Sequence, residues 1–153
     1  MEIKIDHLDD PQIKEFLEEH IEDMKSVSPP ESTHALDLNG LKVPEITFWS
    51  VYEGDNLIGC GALKEIDAHC GEIKSMRVGA STRTKGIGSR ILNHIIDVAK
   101  ARGYHSLKLE TGSMDYFIPA RKLYLKHGFN YCNPFGAYKL DPNSVFMELN
   151  LNT

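Results

Sequence analysis

Residues 78–90 read Val78-Gly79-Ala80-Ser81-Thr82-Arg83-Thr84-Lys85-Gly86-Ile87-Gly88-Ser89-Arg90 and pass from a strand pattern straight into an amphipathic helix pattern. Beyond them Ile91, Leu92, Ile95, Ile96 and Ala99 recur at helical spacing, which predicts a helix from about Ile87 to Arg102, ended by Gly103. The first N–H groups of such a helix have no intrahelical partner, and its dipole adds about half a positive charge there. Gly86 and Gly88 lack the Cβ atoms that would hold an anion away from those groups. Arg83 and Lys85 add cationic donors. A pyrophosphate suits the arrangement. The nucleotide P-loop pattern is absent, and Ile91 stands where a dinucleotide fingerprint needs its last glycine.

The flanking segments constrain how this unit is housed. Ile3 and Ile5 alternate with polar residues in a short strand, and Asp9 or Asp10 with Pro11 opens a helix carrying Ile13, Phe16, Leu17, Ile21 and Met24 on one face. Ser26 to Pro44 reads as a long loop holding at most one helical turn, a length typical of a lid or a binding wall. Strands over Ile46–Glu53 and Leu57–Ile66 flank the hairpin signal Gly54-Asp55-Asn56, and a third strand covers Glu72–Val78. Its apolar positions Ile73, Met76 and Val78 slip parity by one, which predicts a β-bulge. A strand over Ser106–Thr111, a helix opened by Pro119 and stopped by Gly128, and strands around Phe129–Tyr131 and Val145–Leu151 complete a single domain over residues 1–153. This order packs most simply as an α/β (α+β) domain with helices on both faces of one mixed sheet.

No run of about 18 apolar residues is present, so no membrane span is expected. The opening Met1-Glu2-Ile3-Lys4-Ile5-Asp6 has neither the basic start nor the apolar stretch of a signal peptide. Cys60, Cys70 and Cys132 are odd in number, and neither they nor the seven histidines show ligand spacing. These features predict reduced thiols, no metal and a cytoplasmic location. Trp49 lies in a strand, with core packing its leading role and an aromatic wall of a binding site the second.

The sequence Arg83-Thr84-Lys85-Gly86-Ile87-Gly88 between strand and helix resembles the acyl-CoA loop of the GNAT superfamily of N-acetyltransferases. The likeness spans Ile3 to Leu151 in element order. Ala120-Arg121-Lys122-Leu123-Tyr124-Leu125-Lys126-His127-Gly128-Phe129 looks like the family's second hallmark, a helix with a Leu-Tyr pair ending at Gly-Phe. The resemblance implies a mostly antiparallel mixed sheet whose central pair, Glu72–Val78 and Leu107–Thr111, splays to admit the pantetheine arm. It implies acetyl-CoA as co-substrate, bound by Met76, Arg77, Val78 and by Arg83, Thr84, Lys85, Gly86, Ile87, Gly88 and Ser89. It makes Tyr124 the general acid at the sulfur. Glu72 is the favoured base, with Glu65, Glu110 and a water chain as alternatives, while Arg77 and Lys74 touch CoA phosphates or face solvent.

Direct attack by an amine in a ternary complex is the expected reaction, and a CoA-sensing module without catalysis is the rival reading. The expected partner is a small-molecule or peptide amine, not nucleic acid or membrane, and a homodimer is compatible with the chain. Net charge is −5, yet residues 1–70 hold 5 Lys/Arg against 16 Asp/Glu and residues 71–153 hold 12 against 6. By the resemblance the first half lines the acceptor side, so its acidity predicts a cationic acceptor such as a polyamine, a lysine side chain or an aminated sugar.

Overall fold

A computed structural model describes residues 1–34, 36–79 and 86–152. Seven strands and four helices are described: β1 Glu2–Ile5, α1 Pro11–Val27, α2 Leu38–Leu41, β2 Ile46–Glu53, β3 Asn56–Asp67, β4 Cys70–Val78, α3 Ile87–Ala101, β5 Ser106–Gly112, α4 Ile118–Lys126, β6 Asn130–Cys132 and β7 Ser144–Asn150. The strands form one sheet in the order β1-β2-β3-β4-β5-β7-β6, with β4 and β5 parallel and every other neighbouring pair antiparallel.

α1 starts where Asp10 accepts a hydrogen bond from the Gln12 amide and Pro11 sets the first turn. Its Ile13 and Leu17 pack with Phe48, Cys60, Ala62 and Leu41 on one face of β2 and β3. On the opposite face α3 buries Ile91, Leu92, Ile95 and Ala99 against Val51, Leu63, Ile73, Leu107 and Met147, and α4 adds Tyr124. α3 lies so close to β3 that a Cβ on Gly61 would stand 2.9 Å from Ile91 Cγ2. Trp49 belongs to this core, edge-on to His94 at 5.2 Å, so core packing is the role it takes. The segment after α1 holds a 3-10 turn at Pro30–Ser32 as well as the one-turn α2, one more turn than its composition suggests.

Two features set β4 apart from the other strands. Cys60 pairs with Arg77 and Ala62 with Lys74, so one β3 residue, Gly61, faces both Ser75 and Met76. This is the bulge expected from the parity slip, and Ser75 sits there at φ 54°. The extra residue reverses the facing of everything after it. Met76 and Val78 join Ile73 in the core beside α3, and Arg77 turns to α1. The second feature is the parallel pairing, which runs from Cys70↔Ser106 to Ile73↔Leu109 and then stops. Past that point β4 and β5 diverge.

Candidate active site

The gap between the diverging strands is the floor of a cleft of about 490 Å³. Met76, Gly86, Gly88, Ser89, Leu123 and Tyr124 line one side, and His20, Met24, His34, Lys74, Glu110 and Tyr138 the other.

At the α3 end Gly86 caps the helix at φ 73°, a left-handed conformation that only glycine adopts without strain, and no side chain caps the turn. The first described intrahelical bond runs from the Arg90 amide to the Gly86 carbonyl, so the amides of Ile87, Gly88 and Ser89 have no intrahelical partner. Ser89 Oγ lies 3.2 Å from His127 Nε2, which ties this turn to the end of α4. Arg83, Thr84 and Lys85 lie outside the described residues. The two glycines serve different purposes. A Cβ on Gly86 meets none of the described atoms within 4 Å, whereas one on Gly88 would stand 3.1 Å from Leu123 Cδ2 and 3.7 Å from Val78 Cγ2. Gly88 therefore lets α3 approach α4 and β4 closely.

Tyr124 stands behind the strand gap, buried and edge-on to Phe129 at 5.7 Å. Burial, and then the negative charge of Glu110, raises its pKa, so the phenol keeps its proton at neutral pH. Ser75 Oγ is buried without a hydrogen-bond partner, and its carbonyl accepts from Cys60 Sγ at 3.1 Å.

On the α1 side three groups interlock. The Tyr138 hydroxyl donates to Glu72 Oε2 at 2.6 Å, and Lys74 Nζ donates to the same oxygen at 3.1 Å and to the Tyr138 hydroxyl at 3.0 Å. Lys74 is thus held inside the cleft by Glu72 and Tyr138 and neither faces solvent nor projects toward the α3 terminus. Glu110, one residue past the last β4–β5 pair, is mostly enclosed; burial raises its proton affinity, with Ser144, His34 and Lys74 pulling the other way. Glu65 is an exposed strand residue that accepts from the Tyr104 hydroxyl at 2.9 Å, away from the cleft. The Arg77 side chain does not reach for CoA phosphates. Its Nη1 donates to Asp23 at 2.8 Å, its Nη2 lies 3.7 Å from Glu19, and its guanidinium sits over the Phe16 ring. His20 is buried beside it, its pKa held at about 4 by burial and by the Arg77 charge, with Asp23 opposing.

The Acetyltransferase (GNAT) family profile matches residues 13–129. The chain belongs to this family. The GNAT chain is 58% identical over 151 residues to the uncharacterized N-acetyltransferase YsnE of Bacillus subtilis, covering 99% of this chain and 100% of the relative. It is 49% identical to the uncharacterized N-acetyltransferase YedL of Escherichia coli, covering 97% and 94%. Among solved structures it superposes on an aminoglycoside 6'-N-acetyltransferase complexed with coenzyme A at a TM-score of 0.75, with 17% identity and 100% and 98% of the two chains covered. This is an acyltransferase, with the mixed GNAT sheet and no described helix long and apolar enough to cross a membrane.

Of the residues expected at its site, Glu72, Met76, Arg77, Val78, Gly86, Gly88, Ser89 and Tyr124 all line the GNAT cleft. Ile87 points into the core instead, leaving only its backbone to the cleft rim. Residues not foreseen there are Tyr138, His34 and His20. Tyr138 follows a Pro-Phe-Gly turn and His34 a Pro-Pro segment, where no periodicity marks an inward side chain. His20 does fall on the apolar stripe of α1, at Ile13 plus seven, a spacing that marks it as buried.

Proposed function

We propose that this GNAT domain transfers an acetyl group from acetyl-CoA to a primary amine by direct attack in a ternary complex. The observation that carries this reading is the continuity of one cleft. It joins the open N-terminus of α3, the bulged edge of β4, the Tyr124 phenol and two enclosed carboxylates. The pyrophosphate rests on the amides of Ile87, Gly88 and Ser89, and the pantetheine arm lies along Met76 to Val78 where β5 has withdrawn.

Acetyl-CoA supplies the activated acyl group. Glu110 takes one proton from the incoming ammonium, and the freed nitrogen attacks the thioester carbon. The C–S bond breaks, and the second amine proton leaves for the sulfur. Glu110 fits the proton-accepting role better than Glu72, because Glu72 Oε2 already holds two donors while burial raises the proton affinity of Glu110. A phenol whose pKa is raised is a poor proton donor to a thiolate. Tyr124 serves instead by holding a hydrogen bond on the sulfur as charge develops there. None of the cysteines lines the described cleft, and the buried Cys60 thiol is pushed up to about 12, so an acyl-cysteine route has no thiolate to use there.

The test is thiol release from acetyl-CoA over a panel of amines, with Tyr124→Phe, Glu110→Gln and Glu72→Gln alongside. Turnover should fall roughly 10²–10³-fold in Tyr124→Phe with CoA affinity kept. Glu110→Gln should lose more turnover than Glu72→Gln. A folded protein that binds CoA and releases no thiol with any amine would return the domain to a sensing role.

A further inference from the structure

Four carboxylates of the first half, Glu15, Glu18, Glu19 and Glu22, lie on the exposed face of α1. The titratable groups that α1 and β4 present to the cleft are His20, Arg77, Lys74 and Glu72. Arg77 is 11% exposed, whereas the carboxylates that pair with it, Asp23 and Glu19, are 43% and 60% exposed. Solvent screens those two far more than it screens the guanidinium.

Arg77 also has unused capacity. Asp23 and Glu19 occupy its Nη atoms, and its Nε–H is buried with no partner. A buried charged donor left unsatisfied is costly, so its persistence beside a cleft points to a ligand acceptor atom. Ser75 Oγ, two residues away in the bulge, is likewise buried and unpartnered. The same cleft is lined by Glu110, a group that only accepts when ionised, and by Glu72, whose Oε2 already takes Tyr138 and Lys74. The cleft thus offers unused donors at Arg77 and Ser75 and a carboxylate acceptor at Glu110.

We propose that the acceptor is an amino acid, with amine and carboxylate on one molecule, whose carboxylate takes the Arg77 Nε–H while its amine faces Glu110. This rests on the acetyl-transfer reading above and replaces the cationic acceptor that the bulk charge of residues 1–70 suggests. A polyamine would leave Arg77 Nε and Ser75 Oγ unpaired and would bring a second cation toward the guanidinium.

The experiment compares matched pairs, each of the common L-amino acids and β-alanine against its decarboxylated amine, with spermidine as the cationic reference. Thiol release from acetyl-CoA should favour at least one amino acid over its decarboxylated partner by about 10-fold or more, the scale of one charge-assisted contact. Amines used as well as or better than every amino acid would overturn the proposal while leaving acetyl transfer intact. If no pair turns over, the transfer reading fails separately. Calorimetry of the same pairs on CoA-loaded protein then decides, with tighter binding of the amino acid supporting the proposal and equal or weaker binding refuting it. Arg77→Lys keeps the charge and loses Nε–H, so the preference should collapse. Asp23→Asn weakens the competing carboxylate, so the preference should rise, and it serves if Arg77→Lys fails to fold. An Arg77–Asp23 pair that is only structural would leave the preference ratio unmoved in both.

Discussion

The Tyr138 hydroxyl donates to Glu72 Oε2 at 2.6 Å, across 66 positions of chain. It fastens the segment between β6 and β7 to the splayed strand. The ring also packs against Phe135, Phe146 and His34, so the same side chain joins two walls of the cleft.

Tyr138→Phe keeps that packing and removes one donor from a buried carboxylate. It should cost about 1–3 kcal/mol, and the acceptor KM should rise more than the acetyl-CoA KM. Urea unfolding with steady-state kinetics checks both. An unchanged midpoint with unchanged KM values would show that the segment is held by its ring contacts alone.

Gly88→Val should act through packing, because its Cβ would meet Leu123 and Val78. The thermal midpoint should fall, and Gly88→Val with Leu123→Ala should recover part of the loss. Loss of CoA affinity in Gly88→Val without any loss of stability would return Gly88 to the role of clearing space for the phosphates.

His20 makes stability sensitive to acid. Its folded pKa is about 4, against 6.5 for the free side chain. Between those values the unfolded chain binds the proton and the folded chain does not, so the stabilisation is full above about pH 6.5 and is lost as pH falls toward 4. The scale is on the order of 3 kcal/mol at most. Urea midpoints measured across this range should slope down on acidification, and His20→Gln should flatten the slope. An equal slope in His20→Gln would assign the acid sensitivity to carboxylates.

Much of the site is legible in the residue order because its physics is local. The open helix start at Gly86, the bulge between Ile73 and Met76, and the Leu123-Tyr124 pair each follow from a few neighbouring residues. Arg77 is where local reading falls short. Its position in β4 is plain from the pattern, but the bulge sends its side chain to α1, and no spacing announces Asp23 as its partner 54 positions away. The packing of Gly88 against Leu123 is hidden from local reading for the same reason, since it depends on where α4 lies.

The sequence by itself determined the order of elements, the mixed sheet and the glycine-marked start of α3, because strand alternation, helix periodicity and glycine placement act over a few residues. Its resemblance to the GNAT superfamily pointed to the family that the profile match shows. Only the tertiary structure decided which charges meet inside the cleft. Summing residues 1–70 describes a strongly acidic half, yet α1 turns most of those carboxylates to water, where they are screened, and encloses Arg77 and His20, where they are not. Electrostatic effect depends on burial as much as on sign, and burial is a property of how the helices pack on the sheet.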